Sequence, residues 1–411
     1  MQVRLQGPIG STGGGRSAAE IIRACVHCGF CNATCPTYQL LGDELDGPRG
    51  RIYQIKDLLE GGRPTSNIQK HLDRCLTCRA CETTCPSGVQ YGILLDFGRG
   101  VVEKEVTRPL GQRVLRHVLR FWLPYPERLR PFYRLAHKMK AVLPSSLKVI
   151  LGAGEKKHSW PKSRHRRRMV VLDGCVQNLV AFHINQSAAR VFDRLGISLI
   201  QVPEAGCCGA LSYHLGAHRE GLEFMRRNID AWWPHVEAGV EAIVVTASGC
   251  GVTVKEYGRL LADDPDYAGK ARKISTLARD PAEILAGEDL TGLKVIRPTR
   301  VAFQSPCTLQ HGLRLKGVVE SILQELGFEL TPVTDSHLCC GSAGTYSILQ
   351  PGLARQLRNN KVTALEAGDP DIIASANIGC MLHLAPVTRQ PVQHWLELLD
   401  FQGRAAGRVK T

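Results

Sequence analysis

The spacing of apolar residues changes character twice along the chain. In RGRIYQIKDLLEG (49–61) the apolar positions 52, 55, 58 and 59 recur at helical spacing, and NIQKHLDRC (67–75) continues in the same way. The stretch RVLRHVLRFWLPYPERLRPFYRLAHKMKAVL (113–143) alternates basic with apolar and aromatic residues. Prolines at 109, 124, 126, 131, 144 and 161 divide its surroundings into short amphipathic helices joined by turns. From about residue 169 onward, short β-rich runs alternate with amphipathic helices stopped by glycine, the pattern of a parallel α/β sheet. The expected fold class is therefore α + α/β. An α-helical domain covers 18–103, a basic amphipathic connector 104–168, and two α/β modules 169–290 and 291–402.

Charge sharpens the connector. The net charge is +14, and the segment from Lys104 to Arg168 alone carries 18 Lys/Arg against three acids. The rest of the chain is thus close to neutral. A solvated linker, a surface for anionic lipid or an acidic subunit, and a nucleic-acid surface compete for this segment. The last is disfavoured, because no helix-turn-helix, zinc-finger or RNP pattern accompanies the charge, and no nucleic-acid partner is expected. No run of 18 apolar residues suggests a membrane span, and the first 20 residues lack the apolar core of a secretory signal. A cytoplasmic protein is expected, in which 16 cysteines among 411 residues serve metal or redox chemistry rather than disulfides.

Eight of those cysteines form two copies of C-x2-C-x2-C-x3-C-P: Cys25, Cys28, Cys31 and Cys35 before Pro36, and Cys75, Cys78, Cys81 and Cys85 before Pro86. Three thiolates at this spacing wrap one iron–sulfur cube, and the fourth reaches the other cluster. That rule assigns Cys25, Cys28, Cys31 and Cys85 to a first 4Fe-4S cluster, and Cys75, Cys78, Cys81 and Cys35 to a second. Zinc knuckles are the competing reading, but they do not need the third step or the closing Cys-Pro. His27 lies inside the first loop without a required ligand role. The DGPRGR segment (46–51) reads as a surface turn whose arginines meet an acidic group or partner at most.

The other eight fall into a duplicated register. Cys175, Cys207, Cys208 and Cys250 are matched by Cys307, Cys339, Cys340 and Cys380, with a first step of 32 residues in both copies. RMVVLDGC (168–175) pairs with RVAFQSPC (300–307), AARVFDRLGI (188–197) with VVESILQELGF (318–328), and EAIVVTASGC (241–250) with DIIASANIGC (371–380). Asn228 and Asn360 both lie 21 residues past the first cysteine of the pair. Each cysteine station follows a predicted strand, where α/β folds place ligands, and the glycine after each pair permits close approach. One or two further clusters or metal ions, a zinc site, or a redox-active vicinal disulfide are the candidate cargoes. Burial as small hydrophobes gives no reason for matched spacing. The chain shows no dinucleotide fingerprint after a strand, no nucleophile elbow and no P-loop, so no catalytic residue is expected.

Taken together, RACVHCGFCNATCPTYQLLGDELDGPRGRIY (23–53), HLDRCLTCRACETTCPSGV (71–89), EAGCCGA (204–210), NIDAWWP (228–234), TASGCGVTVKEYG (246–258) and DSHLCCGSAGTY (335–346) resemble the iron–sulfur subunits of bacterial glycolate oxidase (glycolate dehydrogenase). The cysteine-pair modules resemble those of heterodisulfide reductases. The likeness spans residues 18–400. It implies an electron-transfer subunit of an oxidoreductase, receiving electrons from a flavoprotein partner that oxidises glycolate to glyoxylate and passing them towards the membrane quinone pool. It further implies flavin on that partner and a peripheral place on the inner face of the cell membrane. Related lactate or glycerol-3-phosphate dehydrogenase subunits and a heterodisulfide reductase-like enzyme are the alternatives. In the reductases each module has a further cysteine three residues on; here those places hold Thr253 and His383, which argues against a five-cysteine noncubane cluster.

Overall fold

The structure, a computed structural model, describes residues 1–144, 151, 159–295 and 299–400. Connector positions 145–150 and 152–158, and the last two residues of the module expected to end at 402, lie outside them. The chain divides into two compact units. One comprises 1–119, 211–218 and 337–361, and the other 120–210, 219–336 and 362–411.

The first unit is helical. Helices Gly13–Arg23, Pro48–Leu59, Ser66–Asp73 and Tyr91–Glu105 enclose its core. Two of them start where a threonine side chain accepts from a first-turn amide, Thr12 from Gly15 and Thr65 from Ile68. The expected apolar face is the buried one: Ile52, Ile55, Leu58 and Leu59 pack with Ile22, Leu72, Leu94 and Leu95. Helix Ser66–Asp73 is tied to helix Tyr91–Glu105 by Gln69 Nε2, which donates to the carbonyls of Val102 and Val106.

The second unit carries two four-stranded, wholly parallel sheets. Strands β1 (Arg167–Val171), β2 (Ile197–Gln201), β3 (Ile243–Val244) and β4 (Ala278–Arg279) lie in the order β2-β1-β3-β4. Strands β5 (Arg300–Gln304), β6 (Glu329–Leu330), β7 (Ile372–Ser375) and β8 (Val392–His394) repeat it as β6-β5-β7-β8. The fourth strand of each sheet escapes the sequence pattern, because two or three residues are too few to show alternation. Helices His183–Arg194 and Val318–Glu325 are followed by Gly196 and Gly327, both with positive φ, as the glycine stops imply. The two sheets share one core, in which Val171, Phe192, Val244, Phe303, Ala374 and Trp395 are buried. Polar contacts join the modules as well: Ser248 N donates to Ala376 O at 3.1 Å, and Ser248 Oγ lies 2.7 Å from Thr308 Oγ1.

The described part of the basic segment is helical over Leu110–Trp122 and Pro126–Lys138. Part of its charge is paired: Arg108 reaches Asp73 at 2.5 Å and Glu103 at 2.6 Å, and Arg116 reaches Asp73 at 3.1 Å. Its apolar residues are largely unburied, with Leu110, Val114, Val118, Phe121, Phe132 and Leu135 exposed. Among the described residues, no helix is long and apolar enough to cross a membrane.

Candidate functional site

Both cysteine motifs adopt the same backbone turn. His27 and Thr77 have φ of 65° and 55°, and Gly29 and Arg79, one residue past the second cysteine, have φ of 85° and 61°. Short helices Phe30–Ala33 and Ala80–Thr84 then carry the third cysteines. Cys35 and Cys85 follow in extended conformation, and Pro36 opens helix Pro36–Leu41, where its missing N–H costs nothing. The left-handed turns fold each loop back on itself, so that three thiols share one side.

Two sulfur sets result. Burial pushes the Cys31 thiol up to about 11, and the neighbouring Cys25, Cys85 and Cys28 push in the same direction. Burial likewise holds Cys81 far above its ordinary value, with Cys78, Cys75 and Cys35 contributing. Each set thus gathers three cysteines of one motif and the last cysteine of the other. A cavity lined by Cys25, Cys28, Cys31 and Cys85 together with Arg49 and Tyr91 lies at the first set, and Cys81 of the second set also lines it. All sixteen cysteines are free thiols. Cys31 and Cys81 resist ionisation, since burial and the neighbouring sulfurs both penalise the thiolate. A cationic iron–sulfur core would reverse both effects, so the donor sets fit such a group.

The surroundings of the two sets differ. Cys28 is exposed, and His27 lies nearby, its Nδ1 3.9 Å from Cys25 Sγ and its ring edge-on to Tyr53 at 4.4 Å. Around the second set Cys35, Cys75, Cys78 and Cys81 are all buried. Thr77 N lies 3.4 Å and Tyr91 Oη 3.8 Å from Cys75 Sγ, both as donors. The DGPRGR segment is no simple surface turn. Arg49 stays near the surface and pairs with Glu44, but Arg51 is fully buried. Its Nε donates to His71 O at 2.8 Å, and its terminal nitrogens donate to Thr37 Oγ1 at 3.2 Å. No motif in the sequence marks Arg51 as an arginine buried with its charge. From the same unit, Tyr346 Oη donates to Arg74 O at 3.1 Å, one residue before Cys75. Burial raises the Tyr346 hydroxyl, and the charges of Cys75 and Cys339 add to that.

In the first α/β module, Cys175 follows β1, the pair Cys207–Cys208 follows β2, and Cys250 lies on helix Ser248–Lys255 after β3. The four thiols form a chain of contacts from Cys175 to Cys207, Cys208 and Cys250. Asn228 holds the pair in place. Its Oδ1 accepts from Gly206 N at 2.8 Å, and its Nδ2 donates to Cys207 O at 2.9 Å and Tyr257 Oη at 3.0 Å. Tyr257 Oη in turn donates to Cys208 O at 2.9 Å. The hydroxyl of Thr253 turns back onto Gly249 O in its own helix.

The second copy is distributed differently. Cys307 and Cys380 belong to the α/β unit, where Asn377 Nδ2 donates to Cys380 Sγ at 3.5 Å. Cys339 and Cys340 lie on the 337–361 segment of the helical unit. The glycine after each pair has the expected role: Gly209 and Gly341 have φ of 89° and 88°, and a Cβ on either would sit 2.6 Å from a carbonyl oxygen, of Gly221 and Ala354 respectively.

Comparison with known proteins finds both cysteine systems. A family described as a 4Fe-4S dicluster domain matches residues 21–89, and one described as a cysteine-rich domain matches twice, at 169–255 and 301–385. The chain is 54% identical to the glycolate oxidase iron-sulfur subunit of Escherichia coli (strain K12), over 97% of this chain and 98% of that protein. It is 30% identical to the probable glycolate oxidase iron-sulfur subunit of Bacillus subtilis (strain 168), over 88% and 87%. Lactate utilization protein A of Geobacillus kaustophilus (strain HTA426) is 27% identical, but over 51% of this chain.

Proposed function

We propose, since this chain belongs to the family of glycolate oxidase iron–sulfur subunits, that it carries electrons from glycolate oxidation on a flavoprotein partner towards the membrane quinone pool. The observation that carries the reading is the pair of cross-strapped cysteine sets in the helical unit. Cys25, Cys28, Cys31 and Cys85 would hold one 4Fe-4S cluster, and Cys75, Cys78, Cys81 and Cys35 another; bound there, the clusters supply one-electron acceptance and donation. The chain's own part is to hold the thiolates at fixed separation, exclude water from the second set and leave the first near the surface. Cys175, Cys207, Cys208 and Cys250, linked by successive contacts, would be the ligands of one further cluster or metal. Cys307, Cys339, Cys340 and Cys380 are its counterpart by register.

The exposed apolar row on the two basic helices supports peripheral attachment to anionic lipid at the inner face of the cell membrane. Hydroxy-acid chemistry would reside with flavin on the partner.

The test uses the complex assembled from all its subunits. Co-purification with a flavoprotein is expected. In the Cys28→Ser variant, glycolate-dependent dye reduction should be lost. Unchanged dye reduction would overturn the reading, and a strong preference for lactate over glycolate would transfer it to lactate oxidation.

A further inference from the structure

Arg51 is a buried cation with few equals in this chain. Its side chain is 0% exposed, as is that of Asp46, whose Oδ1 lies 3.4 Å from it. That separation is long for a buried ion pair. The closer partners of Asp46 are Arg74, at 2.7 Å to Oδ2, and His71 Nδ1, at 3.0 Å to Oδ1. Arg51 spends its own donors mainly on neutral groups, the carbonyl of His71 and the hydroxyl of Thr37. Its positive charge is therefore incompletely cancelled.

That charge faces sulfur. Thr37 Oγ1, which accepts from both terminal nitrogens of Arg51, lies 3.3 Å from Cys35 Sγ. Burial works against the Arg51 cation. Cys75 is the strongest influence in its favour, followed by Tyr91, Cys35 and Asp46, and the net effect holds it above its ordinary value. Cys35 and Cys75 both belong to the second set, and they come from different motifs. Arg51 thus sits where the two motifs cross. The arginine beside the first set is placed differently: Arg49 is one-third exposed and paired with Glu44. Water screens a charge so placed, whereas the interior around Arg51 does not.

The physical consequence concerns electron uptake. Adding an electron to an anionic cluster held by four thiolates is disfavoured by burial, because the added charge loses hydration. A fixed cation beside two of the four ligands stabilises the reduced form more than the oxidised form. Hydrogen bonds to the sulfurs act in the same sense. We infer that Arg51 is a positioning residue that raises the reduction potential of the second cluster, offsetting its burial and keeping it reducible by the donor that serves the first. The inference rests on the assignment of Cys35, Cys75, Cys78 and Cys81 to one cluster.

The experiment is an EPR-monitored redox titration of the full chain, purified anaerobically, with iron and acid-labile sulfide counted on every sample. The second cluster's signal is the one that Cys78→Ser removes. In Arg51→Gln with full iron content, the ratio of reduced to oxidised second cluster at fixed ambient potential should fall about tenfold or more. For a one-electron couple that is a downward shift of about 59 mV or more. The first cluster should titrate as in the parent protein, and Arg51→Lys should recover much of the shift. Removing the opposing charge in Asp46→Asn should move the same signal upward, so the idea stays testable if Arg51→Gln fails to assemble. An unmoved second cluster in a fully loaded Arg51→Gln, an equal shift of both clusters, or a downward shift in Asp46→Asn would overturn the inference. If the parent protein itself lacks two clusters, the ligand assignment fails first, and the iron count distinguishes the two failures.

Discussion

His394 illustrates how one side chain joins two repeats. It is fully buried at the start of helix Trp395–Leu399, where its Nδ1 accepts from Leu396 N at 3.3 Å. Its Nε2 lies 3.0 Å from Thr246 O, in the other repeat, and the neutral tautomer protonated at Nε2 satisfies both contacts. Burial drives its pKa down from 6.5 to about 3, against the opposing pull of the Thr246 carbonyl. The native state therefore binds this proton less readily than the unfolded chain. Its stabilising effect is complete above the unfolded value near 6.5 and is lost as pH falls towards 3. Urea midpoints should accordingly fall between pH 7.5 and pH 5, and the His394→Asn variant should show a smaller fall from a lower starting point; equal slopes would contradict this assignment. Asn228 makes a second case. Its replacement by alanine strands the Gly206 amide and the Cys207 carbonyl in a buried site, a cost of about 1–3 kcal/mol. A lowered melting temperature with loss of any metal bound by the first module is the expected result.

At the scale of elements, the loop after β2 and its counterpart after β6 depend on one backbone conformation. Gly209→Ala and Gly341→Ala each place a Cβ 2.6 Å from a carbonyl oxygen at positive φ, so the cysteine pair must shift. Each variant should lose stability, by about 2 kcal/mol or more, in urea titrations. Gly292→Ala, which meets open space without a positive φ, should be near neutral in the same assay. The basic helices make a different prediction. Their exposed apolar residues and the arginines among them should bind vesicles containing phosphatidylglycerol and not neutral vesicles. Phe132→Glu should weaken flotation with those vesicles, and added salt should weaken it further. Flotation that is indifferent to lipid charge would remove the membrane reading of this segment.

For the whole molecule, the decisive quantity is iron per chain. Two cubane clusters give about eight irons, and a four-iron cluster in one or both cysteine-pair sites raises this to about twelve or sixteen. The close contact among Cys175, Cys207, Cys208 and Cys250 favours more than eight. A value of eight with zinc present would mean that the pair sites hold zinc.

What could be read from the sequence alone was periodic or covalent in origin. Helical spacing identified Ile52, Ile55, Leu58 and Leu59 as a core face, and duplication at a nearly constant register implied parallel α/β sheets of one plan. Motif spacing singled out all sixteen cysteines as candidate ligands, because a loop that wraps one cluster constrains the interval between its thiolates. Four outcomes required the tertiary structure. Arg51 is buried and Arg49 is not, although both lie on helix Pro48–Leu59. Tyr346 meets Arg74 from 272 residues away. The Cys339–Cys340 segment folds with the helical unit, and Cys307 and Cys380 with the sheets. Strands β4 and β8 are two and three residues long and are defined by their pairing with β3 and β7. Spacing along a chain records which residues share a face or a ligand. Burial of a charge, or pairing of a two-residue strand, depends on what distant segments bring to the same place, and no local pattern contains that.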